Sequence, residues 1–421
     1  MPRTTVFRKS LKILRHISLY GIIFPYTSYA FYVSLKTNWE ITKRKDDHTI
    51  LKYTPLKICG RYENPFEEYR IQTVYEFFIN RIIELFETNR GGIPIDQARM
   101  NTLMPIHKPT WTTTTSVNGV NTSKEILSDP IDSITLMDTF ALSKNKDSTR
   151  STANLDVTWL GQSCSFILYN NSLKILTDPL FTNFLISPKF GPKRITKLPC
   201  SIEDVPQPDI ILVSHNHPDH LDELSLKTWA NKENVTWIVP KGLGTFLKKN
   251  YDIKNYIELS WWQSAKITTK NLHKTYFVHC TPAMHWSGRS LLDSNESLWC
   301  TFLVKEQGCS QNFLFHGGDT GYVKDLFKMI RARYGDVKLA ILPCGQYCPQ
   351  WHQKPRHINP TEVLNIMKDL HAQNVLGVHW GTFVLSGEYF REPKEKLEFL
   401  AEWEGVSQNC YCPELGNTQQ F

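Results

Sequence analysis

The feature that most constrains the fold is a cluster of potential metal ligands placed directly after an apolar stretch. Residues 210–213 (IILV) are continuously apolar, as in a buried strand, and residues 214–220 (SHNHPDH) follow at once. Three imidazoles and a carboxylate so close together would be poorly satisfied if they were buried without a cation. Imidazole nitrogen and carboxylate oxygen are the usual non-sulfur ligands of zinc. The segment therefore predicts a metal site at a strand end, with a histidine-rich surface loop as the alternative. The candidate ligands are His215, His217, Asp219 and His220.

Three further candidates follow along the chain, each after an apolar, strand-like run. They are His285, Asp319 and His379. Each is a weak signal alone, because a lone histidine is more often a hydrogen-bonded core or surface residue, and Asp-Thr-Gly can be a turn. Seven ligand-type side chains at predicted strand ends form a far more specific pattern than any one of them alone.

Short apolar strands and helical segments alternate between residues 156 and 378. The first predicted strands of this segment lie near 157–160, 166–169 and 173–177, with a turn at Asn170-Asn171. Further strands are predicted at 209–214, 235–240, 313–316, 339–343 and 375–378, and helices at 221–231, 243–249, 323–334 and 361–371. Hairpins followed by alternating strands and helices predict an α/β fold of four layers, an αββα sandwich with two sheets face to face.

The first 40 residues differ in composition from the rest of the chain. No acidic residue precedes Glu40, whereas the first 15 residues include Arg3, Arg8 and Lys9, and the chain carries a net charge of +7. A basic, acid-free start is typical of a mitochondrial transit peptide or of an arm that contacts a membrane. The uncharged run 17–35 is just long enough to cross a bilayer as a helix. The alternative is an amphipathic segment packed on the main domain.

These patterns divide the chain into three parts. We predict a basic arm and membrane anchor over 1–40, and a domain carrying the metal site over 151–421. Between them, residues 41–150 are predicted to form a helical extension, with a helix over 66–88, and a polar linker over 112–151. The cysteines show no zinc-binding spacing and are predicted to be reduced thiols of the core.

Motifs dispersed over residues 156–393 resemble those of the N-acyl-phosphatidylethanolamine-hydrolysing phospholipase D family, within the metallo-β-lactamase superfamily. A short additional match lies at residues 60–65 (GRYENP), and the N-terminus is similar to that of the fungal mitochondrial-membrane members. The matching segments are 157–163 (VTWLGQS), 176–179 (LTDP), 191–194 (GPKR), 214–222 (SHNHPDHLD), 261–262 (WW), 318–322 (GDTGY), 357–362 (HINPTE) and 379–383 (HWGTF).

The resemblance implies the metallo-β-lactamase fold and two zinc ions per chain. One ion would be held by His215, His217 and His285, the other by Asp219, His220 and His379, with Asp319 bridging them. Two ions in such a site can activate a water and neutralise the charge that gathers on a phosphate group. The predicted catalytic residues are Asp219, Asp319, His357 and Asp178.

Four side chains beside the ligands have predicted roles of their own. Asp178 corresponds to a carboxylate that orients a ligand imidazole, or else it only forms the turn before Pro179. His357 is a candidate for phosphate contact or proton transfer, or else it is only a neighbour of a helix N-cap. Gly288 stands where animal family members carry a Lys, with Arg289 next to it, and Arg356 stands where a Gln is expected. We predict that Arg289 and Arg356 bind the substrate with His357.

The resemblance implies a membrane-associated phosphodiesterase that releases an N-acylethanolamine and leaves phosphatidic acid. The expected partners are the phospholipid substrate, the membrane and a second copy of the chain in a homodimer; no nucleic acid is expected, since no nucleic-acid motif is present. The expected location is the mitochondrial inner membrane. Alternatives are another hydrolase of this fold, such as a nuclease or a lactonase, or a non-catalytic membrane scaffold.

An apolar lip for substrate entry is also predicted, or else a core loop with a solvated basic turn. The residues of this segment are Phe181, Phe184, Leu185, Ile186, Lys189, Lys193 and Arg194.

Overall fold

A computed structural model describes residues 17–84, 90–111, 122–127, 154–189, 191–269, 274–290 and 292–421. The basic arm before Ile17 and most of the predicted polar linker lie outside these residues. In chain order the strands are β1 (Leu56–Ile58), β2 (Arg61–Glu63), β3 (Thr122–Leu127), β4 (Leu155–Gly161), β5 (Cys164–Tyr169), β6 (Leu173–Thr177), β7 (Ile210–Leu212), β8 (Thr236–Pro240), β9 (Tyr256–Leu259), β10 (Ser264–Thr269), β11 (Lys274–Thr281), β12 (Thr301–Glu306), β13 (Asn312–His316), β14 (Val337–Pro343), β15 (Ala372–Val378), β16 (Cys410–Tyr411) and β17 (Thr418–Gln420).

The helices alternate with these strands. In chain order they are α1 (Phe24–Arg44, preceded by a π-helical turn, Ile17–Ile23), α2 (Val74–Glu84), α3 (Gln97–Leu103), α4 (Glu223–Trp229), α5 (Leu243–Tyr251), α6 (Leu326–Tyr334), α7 (Gln350–Gln353), α8 (Pro360–Leu370) and α9 (Glu392–Trp403). The four helices predicted between residues 221 and 371 are confirmed, with ends that shift by a few residues.

Two mixed sheets form the centre of the molecule. One has seven strands in the order β17-β4-β5-β6-β7-β8-β9, and the other has eight in the order β16-β15-β14-β13-β12-β11-β10-β3. Side chains of both sheets, such as Val157 and Phe302, share one buried cluster between them. The strands are apolar on this inner face because burial of apolar surface is the main driving force for stacking two sheets.

Helices cover the outer face of each sheet. On the seven-stranded sheet, Leu226 of α4 and Leu247 of α5 pack on Leu176 and Ile211 in a second buried cluster. On the eight-stranded sheet, α8 contacts β14 and β15, and α9 contacts β16. The predicted αββα sandwich is therefore confirmed.

Two expectations about the segment before the sandwich are wrong in part. The helix predicted over 66–88 begins only at Val74, because residues 66–73 are irregular and pack on the main domain through Phe66. Residues 122–127, predicted as polar linker, form the edge strand β3, which pairs antiparallel with β10. This strand is stabilised by a partner that lies far away in the sequence, so its own weak alternation did not reveal it.

The N-terminal hydrophobic run forms a helix that is exposed along most of its length and packs on the protein through Val33 and Thr37. Helix α1 continues beyond residue 35 to Arg44, with Lys36 and Glu40 paired at 3.5 Å. Val33 packs with Leu56 and Ile58 on one side of the helix. Within the part of the chain that the structure describes, no helix is both long and apolar enough to cross a membrane. The spanning helix expected over 17–35 is not found among the described residues, and the packed alternative is met only in part, because Val33 and Thr37 are buried while most of the helix is exposed.

Candidate metal centre

Loops at one edge of the two sheets bring the predicted ligands together. The loop after β7 carries the histidine-rich motif, while His285, Asp319 and His379 follow β11, β13 and β15. Because these strands end at the same edge of the sandwich, side chains distant in sequence meet there. All seven predicted ligands are buried and lie in two groups of converging ligand atoms, one of His215, His217 and His285, the other of Asp219, His220, Asp319 and His379.

Asp319 lies at the centre of the cluster. Its carboxylate is 3.1 Å from the Nε2 atoms of His220 and His379, and 3.7 Å from Nε2 of His285. Burial alone would raise the pKa of Asp319, but the charges of His220 and His379 hold it well below its usual range. Asp319 is therefore an anionic group within reach of both ligand groups, which agrees with the predicted bridging position.

The imidazole nitrogens face one another across short gaps. Nε2 of His215 is 2.7 Å from Nδ1 of His217, and the Nε2 atoms of His220 and His379 are 3.2 Å apart. Nε2 of His217 is buried and has no hydrogen-bond partner among the described residues. Buried polar atoms normally have partners, so this convergence fits side chains arranged around cations. The donor set of imidazole and carboxylate is one that zinc accepts.

Asp178 lies behind the ligands rather than among them. Its carboxylate accepts hydrogen bonds from the backbone N–H and hydroxyl of Ser214, both at 2.7 Å. It is also 2.8 Å from Nδ1 of His220 and 2.9 Å from Nε2 of His316. Burial opposes ionisation, but the charges and hydrogen bonds of His316 and His220 outweigh it and lower the pKa of Asp178 to about 2. This anion fixes the ring of His220 from behind.

Two residues that contact the candidate ligands or Asp178 were not predicted from the sequence. The side-chain amide of Gln162 is 2.9 Å from both Asp219 Oδ2 and His379 Nε2. His316 is fully buried against Asp178. Gln162 belongs to the segment 157–163 that carried the family resemblance, whereas His316 lies two residues before the segment 318–322. For both residues, only their positions in space reveal what they contact.

A glycine is required beside the cluster. Gly318 has a φ of +50°, and a Cβ atom there would lie 2.3 Å from Cβ of Ser214. The backbone before Asp319 can therefore approach the histidine-rich loop only if this position carries no side chain.

A cavity of about 240 Å³ opens onto the ligands His217, Asp219 and Asp319. His357 also lines it, and the Nδ1 atom of His357 lies 3.8 Å from Asp319. Helix α8 begins directly after the N-cap Asn359, so His357 is placed outside the helix, with its ring beside the ligands. Burial lowers the pKa of His357 well below its usual value, so the ring is neutral.

Arg356 and Trp286 form the side of this cavity. The Trp286 ring lies 4.2 Å from the ring of His217, and the Arg356 guanidinium lies 5.0 Å from Trp286. The backbone carbonyl of Arg356 is 2.9 Å from Nδ1 of His285. Nε of Arg356 is buried without a hydrogen-bond partner among the described residues, so a cationic donor is available beside the ligands.

Arg289 was predicted to bind the substrate, but its side chain contacts the backbone of the histidine-rich loop. Its guanidinium donates to the backbone carbonyls of Asn216 at 3.1 Å and Leu221 at 2.6 Å. Arg289 therefore binds the metal-binding loop from outside, and it does not line the 240 Å³ cavity, whereas Gly288 does.

The predicted apolar lip is divided between the surface and the core. Phe181 and Arg194 are buried, and Arg194 donates to the carbonyl of Leu180 at 2.9 Å. Ile186 is exposed, and Phe184 is half-buried. The alternative of a core loop is correct for Phe181, whereas Arg194, expected in a solvated basic turn, is buried.

The fold and the site together define the chain as a metal-dependent hydrolase of the metallo-β-lactamase superfamily. A family model described as "Beta-lactamase superfamily domain" matches residues 174–380. A Saccharomyces cerevisiae protein named "N-acyl-phosphatidylethanolamine-hydrolyzing phospholipase D, mitochondrial" is 54% identical over 434 residues, covering 100% of this chain and 91% of that protein. The chain belongs to the family of N-acyl-phosphatidylethanolamine-hydrolysing phospholipases D.

Two more distant likenesses cover the sandwich. A Caenorhabditis elegans protein named "N-acyl-phosphatidylethanolamine-hydrolyzing phospholipase D 1" is 36% identical over 263 residues, covering 61% of this chain and 72% of that protein. The crystal structure of an isothiocyanate hydrolase from Delia radicum gut bacteria superposes with a TM-score of 0.50 at 18% identity, covering 63% of this chain and 98% of that one. The structural likeness shows the fold alone.

Proposed function

We propose that the protein is a zinc-dependent phosphodiesterase that hydrolyses N-acyl-phosphatidylethanolamine to an N-acylethanolamine and phosphatidic acid. The observation that carries this proposal is the convergence of the seven predicted ligands in two groups, with Asp319 near both, beside an arginine with an unpartnered buried nitrogen. The names of the yeast and nematode relatives support the choice of substrate. Overall, water adds to phosphorus, the bond to the ethanolamide oxygen breaks, and that oxygen takes up a proton.

Each residue of the centre has a part in this reaction. The seven ligands would hold two zinc ions, which when bound supply an activated water and positive charge for the phosphate oxygens. Asp178 keeps the ring of His220 in position. Arg356 donates to a phosphate oxygen, as guanidinium groups commonly do. Neutral His357 offers its ring to the same phosphate or to the leaving oxygen.

Arg289 is given a positioning role in this proposal. Its guanidinium is already engaged by two backbone carbonyls of the metal-binding loop. A substrate contact, as predicted from the sequence, would require it to leave these partners. We therefore infer that Arg289 keeps the loop in place while Arg356 contacts the substrate.

The competing functions have less support. A nuclease would require a strongly basic binding surface, and the side of the cavity offers one guanidinium next to a tryptophan. A scaffold without activity would have no need of seven buried, converging ligands, which are costly to retain without metal.

We propose that the protein associates with a membrane through the outer faces of α1 and α2. On α1, Phe24, Phe31 and Leu35 are exposed on one side of the helix, and on α2 Ile79 and Ile82 are exposed. The two helices touch where Thr27 lies 2.9 Å from the hydroxyl of Tyr75. Apolar side chains exposed together are typical of surfaces that lie in a membrane interface.

Location and assembly follow from the relatives and from the resemblance. The yeast relative is named mitochondrial, which supports a mitochondrial location, and we propose the inner membrane and a homodimer as implied by the family resemblance. Light scattering of the purified chain in detergent tests the dimer, and a monomer mass at all concentrations would contradict it.

The test of the function compares wild type with Asp319→Asn. We expect bound zinc and release of N-acylethanolamine from mixed micelles in the wild type, and a loss of turnover of at least about a hundredfold in the variant, because the anion at the centre is lost. Asp204→Asn, at an exposed position, is the control. Zinc binding without release of N-acylethanolamine would overturn the substrate assignment and keep the metal centre.

A further inference from the structure

A second, larger cavity adjoins the metal centre and extends under the N-terminal helix. Its volume is about 510 Å³, within the range of about 300–1,000 Å³ typical of small-molecule sites. Trp286 and Arg356 line both this chamber and the 240 Å³ cavity of the metal centre. A molecule that binds at the metal centre could therefore continue past these two side chains into the chamber.

Helix α1 supplies one wall of the chamber. Tyr26, Tyr29, Ala30 and Val33 line it and follow one another at helical spacing on a single face. The opposite face of the helix carries the exposed Phe31 and Leu35. The wall lies outside residues 174–380, which the superfamily model matches, and outside the two large sheets.

The other side of the chamber carries polar groups. Glu63 and Arg61 of β2 line it together with Asn295. The Arg61 guanidinium donates to the backbone carbonyl of Leu292 at 2.6 Å, whereas the carboxyl group of Glu63 is buried beside Asn295. The chamber thus offers an apolar helix face opposite a small group of hydrogen-bonding side chains.

We propose that the N-acyl group of the substrate binds in this chamber and that α1 sets the length of the acyl chain that is accepted. This inference rests on the proposed function and adds the subsite for the leaving group. In the substrate, the amide follows the reacting phosphate after only two methylene groups, so it comes next to Trp286 and Arg356. The amide N–H then meets the acceptor oxygens of Glu63, and the hydrocarbon chain lies along Tyr29, Ala30 and Val33.

The proposal is tested by placing a larger side chain of α1 in the chamber. Ala30→Phe places a ring in the space of the chain, and Ser28→Phe adds the same ring at an exposed position of the same helix as the matched control. We expect Ala30→Phe to lower the ratio of kcat/KM for N-palmitoyl over N-butanoyl substrates by about tenfold or more, because hydrocarbon pockets discriminate by size on this scale. Ser28→Phe should leave the ratio unchanged. An unchanged kcat/KM ratio in Ala30→Phe would overturn the proposal. So would a kcat/KM that depends on the length of the glycerol-linked acyl chains and not on the length of the N-acyl chain.

A second variant and a binding measurement keep the test independent of turnover. Tyr29→Ala enlarges the chamber, so it should shift the preference towards N-acyl chains longer than palmitoyl. Calorimetric titration of N-palmitoylethanolamine into the zinc-loaded protein should show binding to wild type and to Ser28→Phe, and binding weakened about tenfold or more in Ala30→Phe. If wild type binds this amide but hydrolyses no N-acyl phospholipid, the proposed function fails and the chamber remains. Equal binding by all three proteins, or none by wild type, would refute the chamber.

Discussion

At the scale of single residues, the candidate metal ligands depend on side chains that are not candidate ligands themselves. Asp178 joins Ser214, His220 and His316 through one buried carboxylate. Gln162 joins the side chains of Asp219 and His379 in the same way. Such support fixes the direction and tautomer of a ligand ring, which a bare loop could not do.

Replacing Asp178 by Asn should weaken the metal centre without unfolding the domain. The variant keeps an acceptor but loses the charge that orients His220, so we expect zinc affinity and kcat/KM to fall by about 10–100-fold. Zinc retained against graded chelator concentrations measures the affinity. Asp209→Asn is the matched control, because Asp209 is also a buried carboxylate but accepts from the backbone of Lys174. Equal losses in both variants would show a general effect on stability instead.

The pKa of Glu63 leads to a separate prediction about how the stability of the protein depends on pH. Burial raises the pKa of its carboxyl group to about 7, against the hydrogen bond of Asn295 and the charge of Arg61, from an ordinary value of 4.5. Tyr29 and Tyr69 are the other titratable groups facing it. Between about pH 4.5 and 7 the unfolded chain has released a proton that the folded chain retains, so stability falls as pH rises through this window.

Glu63→Gln removes this loss, because an amide does not ionise. The stability of the variant relative to wild type should therefore increase from pH 5 to pH 8, by up to ~3 kcal/mol in the free energy of unfolding. Urea denaturation of the zinc-loaded proteins at both pH values measures the difference, with Glu233→Gln at an exposed position as the control. A stability difference that is the same at pH 5 and pH 8 would show that Glu63 ionises normally in the folded protein.

At the scale of elements, the sequence predicted best those strands and helices whose own pattern is strong. The apolar run before residue 214 placed β7 and the ligand loop, and the helix predicted over 361–371 is found as α8 with its start shifted by one residue. Strand β3 was missed because it is held by pairing with β10 and not by its own composition. The apolar composition of residues 17–35 predicted a helix, but the packing of Val33 on β1 depends on tertiary contacts that periodicity does not contain.

The candidate site likewise has residues that the sequence could predict and contacts that it could not. The ligands could be predicted because each stands at a strand end in a recognisable motif. The different partners of Arg289 and Arg356 could not, because both are arginines in loops beside ligands. The path of the backbone decides the difference. Arg289 contacts the carbonyls of Asn216 and Leu221, whereas Arg356 lines the cavity.

The outer face of α1 should bind membranes. Phe31 and Leu35 are 65% and 55% exposed on the face turned away from the chamber. Burying such side chains in a membrane interface contributes about 1.5–3 kcal/mol each, so replacing both by Ser should weaken liposome binding by about tenfold or more. Co-sedimentation with anionic liposomes measures this, and zinc content checks that the domain is intact.

The matched control for this face lies on α9. Phe399 and Trp403 are 63% and 81% exposed there, so the same double replacement removes similar apolar surface from another part of the molecule. We expect liposome binding of that control to equal wild type. If both double variants bind liposomes as well as wild type does, the face of α1 is not the membrane contact.

At the scale of the whole molecule, the reaction site is assembled from distant parts of the chain. The C-terminal strand β17 pairs with β4 in the seven-stranded sheet. The N-terminal helix α1 closes the chamber that continues from the metal centre. In the proposed function, the sandwich would hold the metal ions and the phosphate, and the segment before it would add the surface for the lipid.

The most direct test of this account is a zinc titration of the metal-free protein with N-acyl-phosphatidylethanolamine as the substrate. The seven converging ligands predict that N-acylethanolamine release is absent after chelation, rises with added zinc and reaches its plateau at about two ions per chain. Full turnover by the metal-free protein, or no release at any zinc loading, would contradict the central claim.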